Sequence, residues 1–274
     1  EEIAKYEDIE ILVIVPTKWV ENTQVLSFSR IDKGTLSFRT GKVMFPGYGS
    51  RFFFTKGLSK MVRSFKPDII HLEEEPWSIC ALQTVILRKL FCRKSKLIFR
   101  TSLSIPAKQR FDVIASHIEK LTFKEADHAF ILSKRAGDIL IEKGYSKDMS
   151  ISYNGVDASV FQRMDVRNLK DELNIKGNEF VIGYVGRLMK MKGLETLVRS
   201  FDLIIKQNPN ISYRLLLVGS GEYKDDMLSL ASELGVDDRL ILIDAVPALD
   251  VPKYINCMNV FVLPSLTMSW WVEF

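Results

Sequence analysis

The sequence predicts an α/β protein with two doubly wound, parallel-sheet domains. Short continuous apolar runs recur along the chain, and segments with the apolar spacing of amphipathic helices separate them. This alternation is typical of parallel sheets covered by helices on both faces. It is interrupted once, by a more polar stretch over residues 154–178, and then resumes. A chain of 274 residues, 47% of them hydrophobic, is long enough for two such domains, which we expect at residues 1–160 and 161–274.

Ten apolar runs predict strands because they are rich in β-branched residues and end at polar or glycine positions. They cover residues 9–15, 25–30, 68–72, 96–100, 128–132, 150–153, 180–185, 213–218, 240–243 and 260–263. Segments with apolar residues three and four apart predict helices. They cover residues 52–65, 76–91, 111–125, 134–143, 166–173, 194–207, 223–234 and 251–257. In such sheets ligands bind at the carboxyl ends of the strands.

The charge of the chain is unevenly distributed. A formal net charge of +4 is too small to suggest a nucleic-acid partner, but residues 76–111 contain eight Lys and Arg and no acidic residue. This predicts a local basic surface. The three cysteines, Cys80, Cys92 and Cys257, are odd in number and widely spaced, which argues against a disulfide framework or a zinc site. The isolated cysteines favour a reducing cytoplasm, and no signal peptide or membrane span is visible. Because the chain begins with Glu1 rather than Met, a targeting segment upstream stays open as an alternative.

One motif points to a phosphate ligand. An apolar run ends at Gly186 and is followed by Arg187, Lys192 and the start of a helical pattern. Glycine lets the backbone approach a ligand, and a helix N-terminus attracts anions, so the two cations complete a site suited to a diphosphate. The alternative is an ordinary strand–helix turn with two solvated cations.

Five motifs together carry a family resemblance over most of the chain. They are residues 68–78, residues 154–157 with Phe161, residues 186–193, residues 218–221 and residues 262–265. In order and spacing they resemble glycosyltransferase family four. The resemblance implies the GT-B fold, in which two Rossmann-like domains face each other, and a retaining enzyme that uses nucleotide sugars. It makes residues 1–160 the acceptor side and residues 161–274 a partial nucleotide-sugar-binding domain.

The resemblance also implies that both ends of the enzyme are missing. The family's first strand and its glycine-rich loop would precede this chain, and Glu273 matches the first of a pair of glutamates whose second member would follow Phe274. We therefore expect an internal fragment with little transferase activity of its own.

The donor site implied by the resemblance is built from the second half of the chain. Arg187 and Lys192 would stabilise the departing nucleoside diphosphate in place of a metal ion, which predicts catalysis without metal or cofactor. Glu273 would be the third catalytic residue. The residues expected to contact the donor are Gly186, Gly219, Gly221, Ala245, Val246, Pro264 and Ser265.

Residues at strand ends in the first half are expected to contact the acceptor or line the cleft. They are His71, Glu73, Glu75, Arg100, Thr101 and Asn154. For His71 a structural hydrogen bond is the alternative. Many family members have a histidine where this chain has Arg100, and whether Arg100 replaces its contact or alters activity stays open. Adjacent glutamates cannot flank both sides of a glycosidic bond, so a glycosidase pair is disfavoured.

A basic, aromatic segment suggests contact with anionic lipid. Residues 52–65 are expected to form one helix that lies on the membrane surface. Phe52, Phe53 and Phe54 would insert into the lipid, and the Lys and Arg side chains would contact the headgroups. The alternative is an apolar stripe that faces the core and a solvated basic face.

These features favour a retaining glycosyltransferase that moves a sugar from a nucleotide diphosphate to a lipid-linked or polysaccharide acceptor, at the inner membrane face if it binds lipid. Two other hypotheses stay open. A GT-B nucleotide-sugar epimerase would need acid and base carboxylates in the cleft, and a catalytically silent nucleotide-sugar-binding scaffold would be consistent with Arg100 at the histidine position.

Overall fold

A computed structural model of the chain describes residues 3–21, 24–103 and 112–267. The chain forms two compact units, Glu1–Asn154 and Gly155–Phe274, called here the N-terminal unit and the C-terminal unit. Their boundary lies after Asn154, the first residue of the polar stretch, whereas the sequence analysis places it after residue 160. Within the described ranges, no helix has the length and apolar character needed to cross a bilayer.

The N-terminal unit contains strands and helices in mixed order. Its strands are β1 (Ile11–Pro16), β2 (Lys18–Glu21), β3 (Gln24–Ser27), β4 (Ile31–Lys33), β5 (Leu36–Met44), β6 (Phe53–Lys56), β7 (Ile69–Leu72), β8 (Lys96–Thr101), β9 (His128–Ile131) and β10 (Met149–Ile151). Its helices are α1 (Leu58–Phe65), α2 (Ile79–Phe91), α3 (Asp112–Glu125) and α4 (Lys134–Glu142).

Three β-sheets organise this unit. One is fully parallel, in the order β10-β9-β8-β7. A second has the order β1-β5-β4, with β1 parallel to β5, and β4 and β6 antiparallel to β5. Strands β2 and β3 form an antiparallel ribbon. The parallel sheet brings the ends of β7, β8 and β10, where polar residues follow, to one edge.

The C-terminal unit is a parallel α/β layer structure. Its elements are α5 (Arg167–Glu172), β11 (Phe180–Val185), α6 (Leu194–Gln207), β12 (Tyr213–Val218), α7 (Lys224–Glu233), β13 (Leu240–Ile243), α8 (Val251–Cys257) and β14 (Val260–Phe261). The strands run parallel in the order β13-β12-β11-β14. Tyr184, Leu215 and Phe201 are among the fully buried side chains that join the sheet to α6. The parallel sheets of both units confirm the predicted α/β class.

The expected helix over residues 52–65 is wrong in its first half. Residues Phe53–Lys56 form β6, and only Leu58–Phe65 is helical. Phe52 and Phe54 are 4% and 8% exposed in the core, so they are not available to insert into lipid. The Gln83 side chain completes the hydrogen bonds of this short strand, since Phe54 N donates to its Oε1 at 2.9 Å and its Nε2 donates to Phe54 O at 2.7 Å.

The strands β2, β4 and β5 were not predicted. Strand β5 reads Leu-Ser-Phe-Arg-Thr-Gly-Lys-Val-Met, in which polar residues are spread among the apolar ones. It pairs with one parallel and two antiparallel strands, and antiparallel pairing does not require the continuous apolar run used to identify buried parallel strands.

Candidate functional site

The first candidate site lies at one edge of the C-terminal sheet. Because β11, β12, β13 and β14 are parallel, the loops after them meet at the carboxyl edge of the sheet. These carboxyl-edge loops are residues 186–193, 219–223, 244–246 and 262–266. All the described residues that the sequence analysis assigns to donor binding lie in them, whereas Glu273 lies outside the described residues.

Main-chain hydrogen bonds tie the carboxyl-edge loops together. Leu188 N donates to Ser220 O, and Tyr223 N donates to Leu188 O, both at 2.9 Å. Leu266 N donates to Met191 O at 2.8 Å. These bonds fix the loop after β11 between those after β12 and β14.

Three glycines let these loops approach more closely than any side chain would allow. A Cβ atom on Gly219 would lie 1.9 Å from Gly186 O, and one on Gly221 would lie 2.2 Å from Leu188 O. Gly193 has φ +69° and would place a Cβ 1.9 Å from Pro264 O. The glycines therefore have a steric role, because they let the backbones of adjacent loops come into direct contact.

The two cations of the motif occupy different environments. The Arg187 side chain is exposed, and its carbonyl accepts a hydrogen bond from the Tyr184 hydroxyl at 2.8 Å, which fixes the backbone at this position. Lys192 is 7% exposed and directly precedes Gly193 and the N-terminus of α6. Both residues belong to the loop that follows the central strand β11.

The turn after β13 contains contacts that the sequence analysis missed. Ala245 N donates to the Ser220 hydroxyl at 3.1 Å, which joins this turn to the loop after β12. Lys224 Nζ lies 2.8 Å from Asp244 Oδ1. The position of Ser220 between two glycines indicates a loop near a ligand, but the sequence does not reveal that its hydroxyl binds Ala245, 25 residues away.

A second candidate site lies at the carboxyl edge of the parallel sheet in the N-terminal unit. Arg100 Nη1 is 3.5 Å from Glu73 Oε2, and Arg100 Nη2 donates to Asn154 Oδ1. His71 Nε2 is 3.2 Å from Glu73 Oε1, and its ring packs against Phe130. The structure thus brings together four of the six residues assigned to this region.

The other two residues form an adjacent network. Thr101 Oγ1 donates to Glu75 Oε2 at 2.5 Å, and Ser102 N donates to Glu75 Oε1 at 3.2 Å. Burial raises the pKa of Glu75, and the bonds from Thr101 and Ser102 oppose that rise. Glu75 therefore holds the chain that directly follows Arg100.

Glu74 lies between Glu73 and Glu75 in the sequence and is an unusually weak acid. Burial raises its pKa from an ordinary 4.5 to about 7, and the carboxylates of Glu75 and Glu73 add to the rise. Between about pH 4.5 and about pH 7, the Glu74 carboxyl therefore keeps its proton in the folded protein but loses it in the unfolded chain. The free energy of unfolding therefore falls as the pH rises from about 4.5 to about 7 and levels off above that.

Glu74→Gln removes this titration. The parent loses stability as the pH rises, and the variant does not. The free energy of unfolding of the variant minus that of the parent should therefore be about 1–2 kcal/mol larger at about pH 8 than at about pH 5, after allowance for partial solvent exposure. Urea unfolding at both pH values measures it. The exposed Glu10→Gln is the control, and a difference for Glu74→Gln that does not change with pH would contradict the assignment.

Two family models match the chain in consecutive segments. Residues 23–160 match Glycosyltransferase Family 4, and residues 165–273 match Glycosyl transferases group 1. Among curated proteins, the capsular polysaccharide biosynthesis glycosyltransferase CapM of Staphylococcus aureus is 31% identical over 160 residues, which are 54% of this chain and 40% of CapM. The UDP-Gal:alpha-D-GlcNAc-diphosphoundecaprenol alpha-1,3-galactosyltransferase of Escherichia coli is 26% identical over 214 residues, 76% of this chain and 54% of that protein. The chain spans about half the length of these relatives.

Solved structures share the fold. Anabaena Alr3699/HepE in complex with UDP superposes with a TM-score of 0.63 at 17% identity, over 76% of this chain and 55% of that one. Sucrose-phosphate synthase from Thermosynechococcus elongatus also gives a TM-score of 0.63 at 17% identity, over 93% of this chain and 65% of that one. At such identities the likeness concerns the fold, and it confirms the GT-B class predicted from the sequence.

Proposed function

Because the chain belongs to glycosyltransferase family 4, we propose that its protein transfers a sugar, with retention of anomeric configuration, from a nucleotide diphosphate to a lipid-linked or polysaccharide acceptor. We propose further that the reaction needs no metal ion and takes place at an anionic membrane surface on the cytoplasmic side.

The observation that carries this proposal is the arrangement of the carboxyl-edge loops. Their glycines let the loops after β11, β12 and β14 pack directly against one another, and Arg187 and Lys192 add two positive charges to the loop after β11. A diphosphate suits such a site because it is attracted by both cations and by the N-terminal end of α6, which begins directly after Gly193. The related structure that contains UDP supports a nucleoside diphosphate as the donor fragment.

The proposed reaction breaks the bond between the anomeric carbon and the phosphate oxygen and forms a bond from that carbon to an acceptor hydroxyl. The hydroxyl proton passes to the departing phosphate oxygen, on the same face of the sugar. Negative charge grows on the diphosphate as it leaves, and preorganised cations stabilise that charge more in the transition state than in the ground state. Arg187 and Lys192 are the residues we assign to this role, with Glu273 as the third catalytic residue.

The N-terminal unit is the proposed acceptor side. Glu73 and Asn154 hold the Arg100 guanidinium in a fixed orientation, and a guanidinium has five N–H donors, which leaves donors for hydroxyl or phosphate oxygens of a substrate. Glu75 positions the chain after Arg100 through Thr101 and Ser102. In this proposal Arg100 supplies the polar contact that the family's histidine makes in other members.

The acceptor class is taken from the names of relatives. One relative acts in capsular polysaccharide biosynthesis, and another is named for a GlcNAc-diphosphoundecaprenol acceptor. A lipid diphosphate acceptor is held at a bilayer, which supports the proposed membrane surface.

Transfer is tested with radiolabelled UDP-galactose and UDP-glucose as donors and GlcNAc-diphosphoundecaprenol as the acceptor. We expect label in the lipid product, an α-linkage by proton NMR, and rates unchanged by EDTA because side-chain cations replace the metal. Inverted linkages would contradict retention, and loss of rate in EDTA would contradict metal independence. Epimerised donor without labelled lipid would favour an epimerase instead.

A further inference from the structure

We propose that Asn154 is a site of spontaneous deamidation and that the Arg100 guanidinium promotes the reaction. The product is an aspartyl or isoaspartyl residue, either of which adds a negative charge at residue 154. The inference concerns a covalent modification of the chain itself and does not depend on sugar transfer.

The sequence sets Asn154 apart from the other asparagines. Deamidation begins when the backbone nitrogen of the next residue attacks the side-chain carbonyl carbon of asparagine, and a Cβ atom on that next residue obstructs the attack. Asn154 is followed by Gly155, which has no Cβ, and no other asparagine in the sequence is followed by glycine. The sequence therefore makes this asparagine the most reactive one in the chain.

The structure leaves room for the attack. Residues 152–157 are neither helix nor strand, and Asn154 and Gly155 are both exposed. A Cβ atom built on Gly155 would meet no atom of the described residues within 4 Å, apart from its chain neighbours. An exposed segment without regular structure can adopt the conformation needed for ring closure, and it admits the water that completes the reaction.

Arg100 polarises the carbonyl group that is attacked. Its Nη2 donates a hydrogen bond to Asn154 Oδ1, and its Nη1 lies 3.5 Å from Glu73 Oε2. Arg100 belongs to β8, so the sheet fixes its backbone. Negative charge develops on Oδ1 as the nitrogen attacks, and a guanidinium that is already in place stabilises this charge. The contact that orients Arg100 thus also makes the Asn154 amide reactive.

The reaction needs no reagent except water. The Gly155 nitrogen forms a bond to Asn154 Cγ, the bond from Cγ to Nδ2 breaks, and the side-chain nitrogen leaves as ammonia with the proton from the Gly155 nitrogen. Water then opens the cyclic imide at one carbonyl to give aspartate or at the other to give isoaspartate, whose backbone runs through the former side chain. The peptide bond that is remodelled joins the N-terminal unit to the C-terminal unit.

The test is incubation of the folded protein at mildly alkaline pH, followed by mass spectrometry of the tryptic peptide 148–163, in which Asn154 is the only asparagine. We expect the mass of this peptide to rise as the amide becomes an acid, and chromatography separates its aspartate and isoaspartate forms. A sample digested without incubation corrects for deamidation during digestion. Asn178 and Asn210 are exposed but precede residues that have a Cβ, so both should stay amides.

Variants test the role assigned to Arg100. Arg100→Ala should slow deamidation of the folded protein about tenfold or more, which is the effect of losing one hydrogen bond from a charged donor. The matched control is Lys96→Ala, which removes an exposed cation from the other end of β8 and should leave the rate unchanged. Circular dichroism establishes that each variant is folded.

Two further measurements separate the contact from the sequence. In guanidinium chloride the contact between Arg100 and Asn154 is broken, so the parent and Arg100→Ala should react at the same rate. Gly155→Ala places a methyl group in open space and should abolish most of the deamidation without unfolding the protein.

Three outcomes would overturn the proposal. An unchanged peptide 148–163 after incubation would exclude the site. Equal deamidation of Asn154, Asn178 and Asn210 would exclude a special role for Gly155. A rate for folded Arg100→Ala that equals or exceeds that of the parent would exclude activation by the guanidinium.

Discussion

Arg187→Ala should lower kcat/KM for sugar transfer about 100-fold or more, because one preorganised charge on the departing diphosphate is typically worth ~3 kcal/mol in the transition state. The side chain is exposed, so its removal leaves the core intact and the urea unfolding midpoint nearly unchanged. Initial rates of nucleoside diphosphate release, with acceptor present, measure the effect. Lys192→Ala should also reduce transfer, but Lys192 is buried and its loss changes stability as well.

The matched control for Arg187 is Lys190→Ala. Lys190 is an exposed cation in the same loop, three residues further along, and is not assigned a contact with the donor. It should retain most of the activity. Equal losses in the two variants would show that the loop acts through its net charge, and a normal rate for Arg187→Ala would exclude the proposed role.

Gly193→Ala should destabilise the C-terminal unit by about 3–5 kcal/mol, because the new Cβ meets a backbone atom that cannot turn aside. Two effects contribute. The residue has φ +69°, where an L-amino acid side chain is strained by about 1–2 kcal/mol, and the Cβ would lie 1.9 Å from Pro264 O. Urea unfolding measures the total, and displacement of residues 262–266 should also weaken binding of the proposed nucleoside diphosphate.

Gly235→Ala separates the two effects. Gly235 has φ +68°, nearly the same as Gly193, but a Cβ there meets no atom within 4 Å. Its substitution should cost only the backbone strain of about 1–2 kcal/mol. If the two variants lose the same stability, the close approach of the loops around Gly193 has no energetic role.

The sequence is most informative about the C-terminal unit. The predicted strands over residues 180–185, 213–218 and 240–243, and the helices over residues 194–207 and 251–257, have the bounds found in the structure. All three strands are mainly apolar, with Arg214 as their one charged residue, and β11 and β12 are largely buried. In that situation local composition and tertiary environment agree, and the element bounds can be predicted.

The region around residues 31–56 could not be predicted in the same way. Three consecutive phenylalanines followed by a basic helical pattern favour one long helix. In the structure Phe52, just before β6, and Phe54, within it, are both buried in the core, and β6 pairs with β5. The hydrogen bonds from Gln83 to Phe54 join residues that are far apart in sequence. Local periodicity contains no information about such a contact.

In the candidate sites too, some contacts follow from the sequence and others do not. Parallel strands predict that residues after β7, β8 and β10 lie near one another, and Arg100 does contact Glu73 and Asn154. The pairing of Thr101 with Glu75 and of Ser220 with Ala245 was not predicted, because it depends on the exact path of each loop. The catalytic and binding roles of these residues stay predictions.

The contact between Gly219 and Gly186 has an evolutionary consequence. The loops that we propose to hold the diphosphate contact each other through backbone atoms, and substitution of neighbouring side chains leaves those contacts unchanged. Mutation can therefore alter the turn after β13, from Asp244 to Val246, or the network around Arg100 without loss of the part common to all nucleotide diphosphates. Under the proposed function, a few surface substitutions would change the sugar or the acceptor of a descendant, whereas the glycines are the positions that such divergence must keep.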